Sequence, residues 1–321
     1  MQITEARMFE PRRIELARRD LIPAPGEALI EIAACGYCMT DFHVYEGEDP
    51  HIEFPFVLGH EASGTIVQSN PLPTDPHFEI GAAVTGAFGF CFATHAVAPL
   101  KRLFRVPEGV PMEHAQGEPI ACVVNIARAA DPQVGDHVVL IGCGAMGLML
   151  LTCLVRSCAA SVIAVDIVAD RLRIAAELGA THTVNPKVVD AAGEITAITE
   201  GRGADVVIEF TGKPVGFELA SRIVRYGRAN LLIPGSHMVP ATYDLWPLML
   251  KGTTVGMAHP AYSRDFDEDL RRGLIGLKRG LFAMDRMLTH RYTLASVAQG
   301  FEDARNVVQT GYLKGVLLPN D

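Results

Sequence analysis

Little in this chain of 321 residues would tie it to a polyanion or a bilayer. Lys and Arg number 28 against 37 Asp and Glu, a net charge of −9, and no basic block forms a stripe. Nucleic acid and anionic membrane are therefore not expected as partners. Behind Met1–Arg7 there is no apolar leader, so no secretory signal is expected. One uncharged stretch, 138–155, is long enough to suggest a membrane span, but Gly142, Gly144 and Gly147 interrupt it. It reads instead as a buried strand, a tight turn and a buried helix. A disulfide framework is also missing. The seven Cys are odd in number and scattered, which favours a reducing compartment, free or metal-bound thiols and a cytoplasmic location. No internal repeat or low-complexity tract is present.

What is present divides the chain. Up to about residue 122, short strands alternate with Gly and Pro: 28–33, 64–67, 81–84 and 92–98. Then apolar strands alternate with helices: strands at 138–141, 161–165, 205–209, 229–233 and 253–257, helices at 145–157 and 170–178. That alternation predicts an α/β chain with a parallel, doubly wound sheet. A helix at 264–279 and a strand at 315–318 return to the first part. The expected domains are 1–124, 125–261 and 262–321, the last rejoining the first.

Gly142-Cys143-Gly144-Ala145-Met146-Gly147 is G-x-G-x-x-G, and glycine turns alone are common. Here a strand precedes it, an apolar helix follows, and the next strand ends at Asp166. Together these form the dinucleotide fingerprint. Gly142 would allow the tight turn, Gly144 would let backbone approach the pyrophosphate, and Gly147 would let helix and strand pack. The helix start, with Ala145 and Met146, would offer N–H groups to the phosphates. Asp166 would take the adenosine ribose hydroxyls, with Arg171 nearby. No Arg directly follows Asp166, so NAD is expected over NADP.

The second cluster lies earlier, in Cys38-Met39-Thr40-Asp41-Phe42-His43 and Gly59-His60-Glu61. Zinc takes Cys sulfur and His nitrogen, and a catalytic site uses three protein ligands with one position open. Cys38 and His60 would be two, and Glu61 or Glu118 the third, with Cys122 able to replace Glu118. Cys35 and Cys38 make a C-x-x-C, but the next Cys is Cys91, so no second knuckle pair follows. One of the two is expected to bind metal and the other to pack.

Cys38-x-Thr40-Asp41-x-His43, Gly59-His60-Glu61-x-x-Gly64, Glu118-Pro119 and the glycine motif, in that order, resemble the zinc-dependent medium-chain alcohol and polyol dehydrogenases (sorbitol and threonine dehydrogenases among them). The resemblance runs nearly end to end. It implies a GroES-like catalytic domain beside a Rossmann domain, and it selects Cys38 over Cys35. It implies Cys38, His60 and Glu118 as zinc ligands, with Glu61 as the alternate. Asp41 would orient the His ligand, and Thr40 and His43 would relay a proton. The family's four-Cys lobe should fall between 84 and 92, where this chain has only Cys91. One catalytic zinc per chain and no structural zinc are therefore expected.

By the same resemblance the substrate would be a small secondary alcohol or its ketone, with a polyol, cyclitol or sugar-like compound favoured by Glu118-Pro119 and a threonine-type amino alcohol the alternative. Pairing through 253–257 would give a homodimer or homotetramer. Phe42, Tyr45, Phe56, Phe88, Phe90 and His237 are candidate pocket residues, although aromatics at such positions more often belong to the core. Two rivals are weaker. A nucleotide-binding sensor without chemistry would not need Cys38, Thr40, His43 and His60, and a zinc-free quinone reductase would lack the Cys and G-H-E set.

Overall fold

The computed structural model describes residues 1–259 and 263–321. Two compact units form: Met1–Ala121 with Asp267–Gly280 and Met284–Asp321, and Cys122–Phe266 with Leu281–Ala283. Residues 122–124, 263–266 and 281–283 thus fall on the other side of the expected boundaries, and the expected junction at 261/262 lies outside the described residues.

The first unit begins with a hairpin, β1 (Gln2–Glu10) and β2 (Arg13–Asp20), followed by β3 (Glu27–Gly36) and the short helix α1 (Met39–Glu46). Strands β4 (Phe56–Val57), β5 (Glu61–Asn70), β6 (Ala83–Gly86), β7 (His95–Pro99) and β8 (Leu103–Arg105) complete its N-terminal part. Helix α2 (Gly117–Ala130) runs from this unit into the second.

There the chain forms β9 (His137–Ile141), α3 (Ala145–Leu154), β10 (Ser161–Val165), α4 (Ala169–Glu177), β11 (His182–Val184), α5 (Ala191–Ile198), β12 (Val206–Glu209), α6 (Pro214–Ile223), β13 (Asn230–Ile233) and β14 (Thr254–Met257). All pairs are parallel, in the order β11-β10-β9-β12-β13-β14. This is the Rossmann strand order, with its switch point beside β9. Val139, Leu140, Ile163 and Ile208 are fully buried, as central strands covered on both faces require. Strand β11 and helices α5 and α6 were not expected. His182 and Thr183 are exposed, and α5 carries few long apolar side chains, so their sequence signal is weak.

The chain then returns. β15 (Leu288–Tyr292) and β16 (Lys314–Leu317) join the first unit's main sheet, ordered β15-β16-β3-β5-β6-β8, with β7 also pairing β3. An aromatic cluster fixes this return. Phe301, on the helix Val297–Arg305, stacks on Tyr45 of α1 at 4.3 Å and meets Tyr37 edge-on at 5.1 Å. Such ring pairs are worth ~0.5–1.5 kcal/mol each beyond their buried area. Gly300 allows the approach, because a Cβ there would sit 2.5 Å from the Tyr37 ring. Among the described residues no helix is long and apolar enough to cross a membrane.

Candidate metal centre and dinucleotide loop

The metal group is assembled around one carboxylate. Asp41, in the first turn of α1, is buried, and its two oxygens face three partners. Oδ2 accepts the Cys38 N–H at 3.2 Å, and Oδ1 accepts the Gly59 N–H at 2.9 Å. His60 Nδ1 lies 3.4 Å from the same Oδ1. Asp41 therefore ties the helix start that carries Cys38 to the turn that carries His60, and it leaves His60 Nε2 for a metal. Gly59 is required in that turn. Its φ is +89°, and a Cβ would approach the Phe92 ring to 2.5 Å.

The donor atoms of Cys38, His60 and Glu61 lie within 4.8 Å of one another. A thiol, an imidazole and a carboxylate at that spacing suit zinc. Burial and the Glu61 charge push the Cys38 thiol up, while His60 pulls it down. Burial also opposes the His60 imidazolium, but Asp41 and Cys38 outweigh it and hold His60 well above its ordinary value. A further observation fits a cation. Gln116 Oε1 is buried with no hydrogen-bond partner among the described residues, and it lies with Glu61 Oε2 against Gly36, where a Cβ would strike both.

Glu118 does not belong to this group of donors. It lies half-buried in the first turn of α2, while the carboxylate of Glu61, the alternate, lies near the Cys38 and His60 donors. Cys122 is buried on the same helix and also lies outside the group. Cys35 is fully buried, where desolvation and then the neighbouring Cys91 push its thiol well up, so it packs.

Sequence reasoning missed Lys314. Its ammonium is buried, pairs with Glu61 Oε2 and donates to the Tyr37 carbonyl at 3.2 Å. Burial disfavours the charge, but Glu61 and Cys38 more than offset it and hold Lys314 above its usual range. The single charge inside the apolar run Leu313–Leu318 was the available signal. Thr40 and His43 stand three apart on α1, hence on one side of the helix. His43 Nδ1 meets Glu48 Oε2 at 2.5 Å, a partner the motif does not contain.

Of the other candidates, Tyr45 is core and Phe88 is buried, whereas Phe56 and Phe90 pair edge-on at 5.6 Å. His237 is held between Glu209 Oε2 at 2.9 Å and the Tyr243 hydroxyl at 2.7 Å, at the carboxyl ends of β12 and β13.

In the second unit the glycine loop has the geometry its motif requires. Gly142 has φ +102°, and a Cβ on Gly147 would collide with the Gly142 carbonyl. A Cβ on Gly144 would meet nothing within 4 Å, which leaves room for a ligand against the backbone. Ala145 and Met146 open α3. Asp166 accepts N–H bonds from Cys143 at 2.7 Å and Val168 at 2.8 Å, with Arg171 at 4.0 Å. These groups could hold a dinucleotide at the start of α3.

Comparisons with known proteins bear on the family of the chain. Residues 145–273 match the model of the zinc-binding dehydrogenases, and residues 24–108 that of the alcohol dehydrogenase GroES-like domain. A protein of Mycobacterium tuberculosis named "probable zinc-binding alcohol dehydrogenase" is 30% identical, over 88% of this chain and 80% of its own. An L-threonine 3-dehydrogenase of Bacillus licheniformis is 29% identical, over 94% of each chain. A chain of Sinorhizobium meliloti solved bound to NADP has the same fold, with TM-score 0.84, 24% identity and coverage of 99% of this chain and 100% of its own. The chain belongs to the zinc-dependent medium-chain alcohol dehydrogenase family, whose members are oxidoreductases acting on CH–OH groups.

Proposed function

We propose that this protein transfers a hydride between NAD and a small secondary alcohol or its ketone, using one zinc ion per chain. The observation that carries the reading is the meeting of Cys38, His60 and Glu61 donors within 4.8 Å in a chain that also folds a dinucleotide loop. A bound zinc would supply Lewis acidity to the substrate oxygen, and NAD would supply the hydride acceptor.

The chain's own residues do the rest. Cys38, His60 and Glu61 would hold the ion, and Asp41 would fix the imidazole through Nδ1. Lys314 pairs with Glu61 Oε2 and balances the buried carboxylate. Glu118 remains a ligand for a rearranged site. Thr40 passes the substrate proton toward His43, and Glu48 stabilises the charge His43 gains. Asp166 receives the adenosine ribose. Its carboxylate would repel a 2′-phosphate, which supports NAD, while Arg171 at 4.0 Å would ease NADP.

Two substrate classes remain in play. Glu118-Pro119 supports a polyol, cyclitol or sugar-like compound, but Glu118 stands outside the donor group. The names of the relatives support a threonine-type amino alcohol. A homodimer or homotetramer paired through β14 is part of the same reading, since β14 is the sheet edge and Val255 and Met257 are exposed on it.

The test is NADH formation from NAD with polyols, cyclitols, amino alcohols and simple secondary alcohols, before and after zinc chelation, alongside metal analysis. Chelator-sensitive turnover on one class is expected. Turnover that survives complete zinc removal, or none on any class with NAD bound, would overturn the reading.

A further inference from the structure

Outside the metal centre, the first unit holds a second polar construction that the reaction does not use. Glu5 on β1 is buried to 1% exposure. Its Oε1 accepts from Arg7 Nε at 2.9 Å and from Arg7 Nη2, and its Oε2 accepts from Arg19 Nε on β2 at 2.6 Å. The carboxylate is satisfied, but the guanidinium groups are not. Arg7 Nη1 and both terminal nitrogens of Arg19 have no partner among the described residues. Two cations against one anion leave a surplus of one positive charge.

These three residues line an open cavity of about 320 Å³, near the lower end of the range for ligand sites. Its other wall is apolar, formed by Phe56, Val57 and Phe90. Phe90 is 52% exposed, and its backbone is left-handed, at φ +62°. A bulky exposed ring in that region is strained, and strain of this kind gathers at ligand sites. Phe90 lies in the turn between β6 and β7.

We propose that this cavity binds a small organic carboxylate, gripped by Arg7 and Arg19 with its apolar body against Phe56 and Phe90. A planar guanidinium fork matches a carboxylate in two hydrogen bonds. One surplus charge suits a monoanion better than a phosphate dianion, and a wall of two rings suits an organic body better than a bare ion. The site is distinct from the Cys38–His60–Glu61 group, so it does not depend on the proposed reaction.

The test is isothermal titration of the full-length, zinc-loaded protein with phenylacetate at low ionic strength, against neutral phenylacetamide and inorganic phosphate. Saturable one-to-one binding of phenylacetate is expected, with both comparators about tenfold weaker or worse. Arg19→Gln should weaken phenylacetate by about tenfold while Arg7 still satisfies Glu5. Phe90→Glu, on the surface, places an anion in the cavity without disturbing buried structure and should abolish binding even if Arg19→Gln misfolds. Equal binding of phenylacetamide would reduce the site to an apolar crevice, and equal binding of phosphate would reduce it to a basic patch. Either result overturns the proposal, as does phenylacetate binding that survives both substitutions or is lost on zinc chelation alone.

Discussion

The glycine loop at 142–147 and the metal group at Cys38, His60 and Glu61 are built in opposite ways. The loop is local. Within six residues it contains a strained turn, a space for a ligand and a close packing contact, and Asp166 reaches it from the adjacent strand. The metal group draws on α1, the turn before β5, and β16, which arrives 253 residues after Glu61. Local geometry can be read from consecutive residues, whereas a site assembled by sheet pairing depends on every strand between its parts. The two regions should therefore fail independently, and the metal group should fail through residues far from the ligands.

The largest effect should come from Cys38→Ala, which removes a proposed ligand. Bound zinc and turnover should vanish together, as read by metal analysis and NADH formation, while NADH binding by fluorescence persists. Gly147→Val should do the reverse, driving a side chain into the Gly142 carbonyl, losing cofactor and keeping zinc. If either substitution removed both ligands with the fold intact, the independence would be broken.

Next is Lys314→Met, distant in sequence from every ligand. It would strand the buried Glu61 carboxylate, and breaking a buried pair costs about 3–5 kcal/mol. Urea melts should show that loss, and adding Glu61→Gln should restore much of it. Absence of rescue would mean that Lys314 acts through packing alone.

His43→Ala should keep zinc and slow turnover about 100-fold, in the range of lost proton-transfer catalysis. The deficit should grow at low pH, where unassisted loss of the substrate proton is hardest. An unchanged pH–rate profile would remove His43 from the reaction. Asp41→Asn should weaken zinc about 10–100-fold, since in the proposed site its carboxylate faces His60 Nδ1 at 3.4 Å and would orient the ring. Zinc competition with a chelator measures it, and unchanged affinity would dismiss Asp41 as the organising carboxylate.

The smallest effect tests the returning chain at its surface. Arg291 on β15 holds the Glu113 carboxyl below its usual value through paired 2.8 Å bonds. The folded value lies below the unfolded one, so this contribution is present above about pH 4.3 and is lost as pH falls through the depressed folded value. Arg291→Gln should cost about 0.2–1 kcal/mol near pH 7, because the pair is partly exposed. The difference between the two proteins should close toward acid. A large cost here would contradict the contrast with Lys314.

Much of this was legible in the residues. The apolar runs at 138–141 and 161–165 became β9 and β10 because central strands covered on both faces must be continuously apolar. Elements with thin signals were missed: β11 is two-thirds exposed, and α5 is short. Cys38, His60 and Asp41 were legible through motif spacing. Glu48 and Lys314 were not, because neither type nor spacing marks a residue as a partner until the chain has folded.

The sequence alone determined the two-part architecture and the glycine loop, because backbone freedom at Gly142 and Gly147 and continuous burial of strands are properties of residue types in a local pattern. Only the tertiary structure decided that the Glu61 carboxylate lies within 4.8 Å of the Cys38 and His60 donors and that Lys314 meets Glu61. Those choices follow from strand order. The pairing of β16 with β3, and of β3 with β5, brings Lys314 and Glu61 together, and the desolvation they share makes the ion pair obligatory.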